Sequence, residues 1–357
     1  MTNIEKEKQL LQFDPNAVSE KGKFFGLPFN VDTAELIIIP VPWEVTVSYS
    51  SGTAKAPAAI SEASSQVDLL QEDIKDAWKM GMAMLPVPER LKEENRKFRK
   101  LASSYINWLE KGSPVRDLER FGAVPDIINQ ANREMNQWVK DQALEHLENG
   151  KMLGLLGGDH STPLGLVQAM ATKHPSFGIL QIDAHADLRK AYEDFEFSHA
   201  SVALNWMKIP QVEKMTIVGL RDYCDQENEI IRSGGKVKAF TDQWLKEKMY
   251  DGANWKQCCE EIIGSLPQKV YLSVDIDGLD PKFCPNTGTP VPGGLQFGEL
   301  TYLVKELVKS GREIIGFDLV EVCPGPEPDE WDANVGARLL YKLSNYMGVS
   351  QGKLNWS

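Results

Sequence analysis

Three short apolar runs, each ending in aspartate or histidine, constrain this chain more than any other feature. Residues 177–189 read FGILQIDAHADLR. From Phe177 to Ile182 the run carries no charge and is rich in bulky apolar side chains, the pattern of a parallel strand buried on both faces. It stops at Asp183-Ala184-His185-Ala186-Asp187, where three metal-capable side chains stand at alternate positions. In extended chain, alternate residues face the same way. Residues 151–161, KMLGLLGGDHS, are a second apolar run, ending in Gly157-Gly158-Asp159-His160-Ser161. Residues 269–281, KVYLSVDIDGLDP, are a third, finishing in Asp275-Ile276-Asp277.

Open α/β sheets bind ligands outside the carboxyl ends of their strands. His160, Asp183, His185, Asp187, Asp275 and Asp277 are therefore six candidate metal ligands. In a straight chain Asp183 and Asp187 stand about 13 Å apart, so one ion collects Asp183, His185 and Asp187 only if the backbone bends. Two ions need less bending, and four carboxylates balance two divalent charges. A dinuclear site is the expectation. A single aspartate at a strand end is usually a cap or turn former, and a single buried histidine is usually just hydrogen-bonded. Here only five histidines occur in 357 residues, and His160, His185 and His199 fall within 40 positions of one another.

The rest of the chain supplies a sheet to carry these ends. Further strand patterns lie at 34–40, 80–88, 212–220, 236–240 and 313–324, which with the three ligand-bearing runs makes eight. Helical patterns lie between them, at 58–71, 126–149, 163–172, 242–265, 297–311 and 331–347. Strands alternating with helices imply a mainly parallel sheet covered on both faces. A barrel would give the same count, but the uneven spacing and the long insertion at 89–150 favour an open sheet. Residues 1–33 read as an N-terminal arm, 34–350 as one domain, and the charged, amphipathic stretch around 89–125 as a helical excursion from it. The loop Val41–Pro57, with Trp43, Glu44, Tyr49, Ser50, Ser51 and Gly52, is expected to lie over a pocket and to narrow it.

Charge and cysteine usage limit the partners. There are 39 basic and 51 acidic residues, a net charge of −12, with no long basic run. Nucleic acid and anionic membrane surfaces are not expected partners, whereas a cationic substrate suits an acidic surface. No apolar run reaches the roughly 18–20 residues of a membrane span, and MTNIEKEKQL lacks the apolar core of a signal peptide. Five cysteines without a C-x-x-C pair fit reduced thiols in a cytoplasmic protein.

The three motifs together resemble the signatures of the ureohydrolases, the family of arginase, agmatinase, guanidinobutyrase and formimidoylglutamase. The resemblance runs from about residue 34 to 347. It implies a three-layer α/β/α sandwich with a doubly wound, mainly parallel eight-stranded sheet. It also implies a homo-oligomer, trimer or hexamer, and a hydrolase acting on linear amidines. Carried across by motif, one ion falls to His160, Asp183, Asp187 and Asp275, the other to Asp183, His185, Asp275 and Asp277, with Asp183 and Asp275 bridging. Oxygen and imidazole ligands without thiolate favour manganese, with nickel, cobalt or iron as the other candidates.

In the family's chemistry a hydroxide between the two ions attacks a guanidinium carbon and releases urea. Asp187 resembles the ligand that orients this hydroxide, Glu321 the carboxylate that pairs with the guanidinium, and His199 the loop histidine that relays a proton to the leaving amine. The stretch Phe195-Glu196-Phe197-Ser198-His199-Ala200-Ser201-Val202 departs from arginase and is similar to agmatinase, as is the Thr287–Gly294 loop. Agmatine, giving putrescine, is the expected substrate. Free guanidine, guanidinobutyrate and arginine are the alternatives, along with a metal-binding homologue without activity.

Overall fold

Eight parallel strands form the central sheet: β1 (Leu36–Val41), β2 (Met82–Met84), β3 (Met152–Gly157), β4 (Phe177–Ile182), β5 (Val212–Leu220), β6 (Val237–Thr241), β7 (Lys269–Asp275) and β8 (Glu313–Val320). Their spatial order is β2-β1-β3-β8-β7-β4-β5-β6. The computed structural model describes residues 2–20 and 22–357. All eight strands lie where the apolar runs place them. Every residue of β1, β3 and β4 is buried, as strands covered on both faces require. Pro40 has no N–H to donate, and it falls beyond the last pairing of β1 with β2, Ile38 with Met84.

Two separate helical layers cover the sheet. In one, helices Glu89–Glu110, Val124–Glu148 and Leu164–Lys173 pack on one another and on β1 and β3. In the other, Ala56–Ala63, Trp255–Gly264, Phe297–Lys309 and Trp331–Ser350 pack together and on β3 and β8. The architecture is the expected doubly wound sandwich.

Two helical expectations change. The pattern at 242–265 is two helices, Asp242–Tyr250 and Trp255–Gly264. Gly252 has φ +103, and the Asn254 side chain caps the second helix by accepting from Gln257 N–H, so a turn interrupts the apolar period. The helix predicted at 58–71 stops at Ala63 and tightens into a 3-10 turn, Ser64–Gln66. In the N-terminal segment, the helix Thr2–Gln12 is tied to the body by Lys6, which pairs with Glu35 at 2.7 Å and donates to the Met80 carbonyl at 3.0 Å. Among the described residues no helix is long and apolar enough to cross a membrane.

Candidate metal centre

Strands β3, β8, β7 and β4 are consecutive neighbours in the sheet although far apart in sequence. The segments leaving their carboxyl ends therefore meet, in the crevice where β3 and β4, successive in the chain, are separated by two other strands. β3 ends at Gly157, and Gly158 crosses the Val41–Pro57 loop so closely that a Cβ there would lie 1.8 Å from the Trp43 carbonyl oxygen. Only glycine permits that approach. The Asp159 N–H then donates to the same carbonyl at 2.8 Å.

His160 follows, buried. Its Nδ1 stands 3.1 Å from Asp183 Oδ2, 3.0 Å from Asp187 Oδ2 and 3.2 Å from Asp275 Oδ2, yet makes no hydrogen bond. One N–H cannot point at three oxygens. Around an ion with bonds of about 2.1 Å, ligand atoms at right angles stand about 3 Å apart, so the spacing is that of a coordination shell. The opposite ring nitrogen fixes the tautomer. Nε2 is 2.9 Å from Ser273 Oγ, whose single hydroxyl proton goes to Asp318 Oδ1 at 2.9 Å. Nε2 must carry a hydrogen, so Nδ1 is the nitrogen that faces the carboxylates and the one free to take an ion once its own proton leaves.

Asp183 reaches both ways. Its Oδ2 faces His160, and its Oδ1 is 3.6 Å from His185 Nδ1, which lies 3.1 Å from Asp277 Oδ2. Two ligand groups result, His160 with Asp183 and Asp275, and Asp183 with His185 and Asp277. Of the two carboxylates expected to bridge, Asp183 belongs to both groups and Asp275 to the first. The second oxygen of Asp275 accepts the Asp277 N–H at 2.9 Å. The bend needed to gather Asp183 and Asp187 is present: β4 stops at Ile182, and Asp187 has φ 52. Glu321 has φ 61. Left-handed backbone outside glycine costs about 1–2 kcal/mol per residue, so both carboxylates are held in place by what surrounds them.

The electrostatics are unresolved without a cation. Burial raises the Asp275 pKa well above the ordinary carboxylate value, and the charges of Asp277 and Asp183 add to it. Burial, then Asp183, lifts Asp187 to about 7. Burial opposes a charged His160, but Asp183, Asp187 and Asp275 outweigh it and raise its pKa well above the ordinary value. Carboxylates that repel one another and hold a proton on the imidazole between them are a donor set whose charge a divalent ion would balance in place of that proton, and with no thiolate among them they suit a hard to borderline metal.

Glu321 leaves the end of β8. Its Oε1 accepts the His160 backbone N–H at 2.8 Å, and its Oε2 faces Gly288, where a Cβ would stand 3.4 Å away. His199 sits across the cleft, half-buried, with Nδ1 3.3 Å from Thr46 Oγ1 and its ring edge-on to Tyr192 at 5.9 Å. Burial, then the imidazoles of His185 and His160, hold the His199 pKa below its ordinary value. The cleft has a volume of about 180 Å³ and brings together Glu321, His199, Asp187, Ser48, Asp222 and Glu227. Trp43 and Glu44 do not line it. Trp43 is fully buried, with Nε1 donating to Asn132 at 2.7 Å, and the Glu44 carboxylate accepts the Gly52 and Ala54 N–H groups. These two residues shape the loop, and Ser48 and Thr46 present it to the site.

The excursion, through Tyr105, and the helix Val124–Glu148 that follows it, through Asn129 and Asn132, have a structural task that the sequence leaves open. Asn129, Asn132 and Tyr105 fasten the loop that carries His199. Asn129 accepts Glu196 N–H at 2.8 Å, Asn132 donates to the Phe197 carbonyl at 3.0 Å, and Tyr105 donates to Asp194 Oδ2 at 2.5 Å. Within that loop, Tyr192 and Phe195 exchange backbone hydrogen bonds around Glu193 (φ 52) and Asp194 (φ 64). This is a two-residue turn that glycine and asparagine normally fill. Ser273 and Asp318 were also missed. Each is a polar residue inside an otherwise apolar buried run, which is the signal that would have found them.

The arginase family pattern matches residues 34–344. The N(1)-aminopropylagmatine ureohydrolase of Synechocystis sp. is 31% identical over 330 residues, covering 90% of this chain and 91% of that protein. Among solved structures, the agmatine ureohydrolase of Thermoplasma volcanium superposes with a TM-score of 0.68 at 19% identity, covering 97% of this chain and 99% of that one. The formiminoglutamase of Trypanosoma cruzi, solved with Mn2+, gives 0.68 at 14% identity, covering 92% and 98%. The chain belongs to the arginase family, and it is a ureohydrolase, a hydrolase acting on guanidino compounds.

Proposed function

We propose that this protein is a two-metal amidinohydrolase that releases urea from a small cationic guanidino compound, agmatine first among them. The observation that carries this reading is His160 Nδ1 facing three carboxylate oxygens at 3.0–3.2 Å, with one of those carboxylates shared by His185. His160, Asp183, Asp187 and Asp275 would hold one ion, and Asp183, His185, Asp277 and Asp275 the other, with manganese favoured and nickel next. Two divalent ions so held would acidify a water between them and supply a nucleophile near neutral pH.

The chain's own groups do the rest. Glu321 pairs with the planar guanidinium and turns its carbon toward the metal ligands. Asp187 accepts a hydrogen bond from the attacking water and aims it. As oxygen adds to that carbon and the bond to the substituted nitrogen breaks, neutral His199 takes up the proton the attacking water gives up and passes it to the departing amine. Asp222, 70% exposed at the mouth of the cleft, is placed for a second cationic group on the substrate.

The cleft size supports a second reading. At about 180 Å³ it is smaller than the roughly 300 Å³ at which ligand pockets usually begin, which favours free guanidine or guanidinobutyrate over a longer polyamine. Urea release from agmatine, guanidine, arginine and guanidinobutyrate, with manganese- and nickel-loaded protein, decides among them. Turnover of one substrate well above the others is expected. No urea from any of the four with either metal would overturn the proposal.

A further inference from the structure

A second cavity lies away from the candidate metal centre, by the amino ends of β1 and β2. It measures about 390 Å³ and is lined by Lys6, Glu35, Lys75, Asp76, Lys79, Met80 and Lys353 to Asn355. Four stretches of the chain build it, around residues 6, 35, 75–80 and 353–355. Lys6 comes from the first helix. Lys75 and Asn355 come from a two-stranded ribbon in which Ile74–Lys75 pairs with Asn355–Trp356. Lys79 comes from the 3-10 turn Ala77–Met80. Lys6 and Lys353 lie outside the residues that match the arginase family.

Charge decides what such a cavity accepts. Four ammonium groups face two carboxylates, which leaves two positive charges in a chain whose net charge is −12. Glu35 is shared by Lys6 at 2.7 Å and Lys353 at 2.9 Å, and Asp76 holds Lys79 at 2.8 Å. Among the described residues, Lys75 has no carboxylate in ion-pair contact. A fifth lysine, Lys151, lies just beneath, donating to the Asp32 and Ala34 carbonyls at 2.6 and 2.7 Å. Its pKa is lowered by burial first, with Lys6 and Lys353 pushing it the same way against the opposing charges of Glu35 and Asp32. No arginine lines the cavity. The arginine fork suits carboxylate and phosphate alike, and lysines bind phosphate as point charges; ammonium groups converging from several sides can each meet a different oxygen of a tetrahedral dianion, whose double charge also equals the excess.

We propose that this cavity is a binding site for a small, doubly charged tetrahedral oxyanion, either inorganic phosphate or the phosphate of a small monoester. One such dianion neutralises the excess charge, and it links the N-terminal helix to the C-terminal ribbon through Lys6 and Lys353. The site stands apart from the guanidino chemistry and does not depend on it.

The test is calorimetric titration of the metal-loaded, full-length protein with inorganic phosphate, a phosphate monoester and succinate. Saturable phosphate binding that weakens as salt rises is expected. Replacing both Lys75→Gln and Lys79→Gln should weaken it roughly tenfold. Asp76→Asn should tighten it, because asparagine tolerates the left-handed backbone at that position (φ 50) while removing a negative charge. Urea release measured on the same preparations shows that each variant is folded. Tighter binding of the monoester than of phosphate identifies a phosphorylated metabolite as the ligand, and the reverse identifies the free ion. Absence of saturable binding, phosphate affinity unmoved by the lysine and Asp76 substitutions, or succinate binding as tightly as phosphate would each overturn the assignment.

Discussion

Replacing Ser273 by alanine removes one oxygen that never meets solvent, and the structure says where the effect should fall. Ser273 and Asp318 are fully buried and His160 is 1% exposed, so water cannot substitute for the missing hydroxyl. The variant loses the acceptor of His160 Nε2–H and the donor to Asp318 Oδ1, both at 2.9 Å. An imidazole without that partner is free to turn and to exchange tautomers, and Nδ1 then faces Asp183, Asp187 and Asp275 ready to take an ion only part of the time. Partners of this kind are worth about 10–100-fold in metal affinity. The two unpaired buried groups should also cost about 1–3 kcal/mol of stability each. The assay is a manganese titration of metal-stripped protein against a competing chelator, followed by electron paramagnetic resonance. One of the two binding steps should weaken by that factor, while the step that depends on His185 and Asp277 changes little. Wild-type affinity in both steps would refute the argument that the Ser273–Asp318 pair sets the His160 tautomer.

Three other substitutions test separate parts of the account. His199→Ala should slow urea release by about 10²–10⁴ while metal content by elemental analysis stays that of the parent, since no ligand is touched; loss of metal together with activity would place His199 in the ligand scaffold instead. Tyr105→Phe removes the donor to Asp194, and denaturant unfolding should show a loss of about 1.5–3 kcal/mol, with new proteolytic cleavage in the loop 189–199; an unchanged midpoint and cleavage pattern would mean the strained turn needs no clamp. Glu35 gives a pH test. Burial opposes its charge, but Lys6 and Lys353 hold its pKa below 4.5, so its ion pairs stabilise fully above about pH 4.5 and fade as the pH falls through the lowered folded value. Glu35→Gln should therefore lower the melting temperature near neutral pH and lose less of it on acidification than the parent does; parallel curves would contradict that sign.

The fold was readable because its signals are continuous. β1, β3 and β4 are uninterrupted apolar runs buried on both faces, and runs of that kind have few alternatives in an α/β chain. The six ligand candidates were readable for a related reason: charged groups placed directly after such runs must sit at the mouth of the sheet. Which way each carboxylate turns was not, because it depends on side-chain rotation: Asp183 directs Oδ2 to His160 and Oδ1 toward His185, and that Oδ1, like Oδ1 of Asp275, also accepts a backbone N–H. The break at Gly252 escaped the helical period, since both halves of 242–265 remain amphipathic on their own. The excursion was legible as a helix but not as a scaffold. The helix Val124–Glu148 likewise gave no sign of what it holds: Asn129 and Asn132 stand three residues apart on one helical face, and their partners lie 65 residues later in the chain. The loop with Trp43 and Glu44 misled for the opposite reason: an aromatic and a carboxylate near a site suggest lining, but both turn inward to anchor the loop.

Anomalous diffraction from crystals grown with manganese addresses the two-ion arrangement without relying on activity. Two peaks are expected about 3.5–4 Å apart, one among His160 Nδ1, Asp183, Asp187 and Asp275 and the other beside His185 Nδ1 and Asp277, with the Asp183 carboxylate between them. A single peak, or none at full metal saturation, would contradict the account.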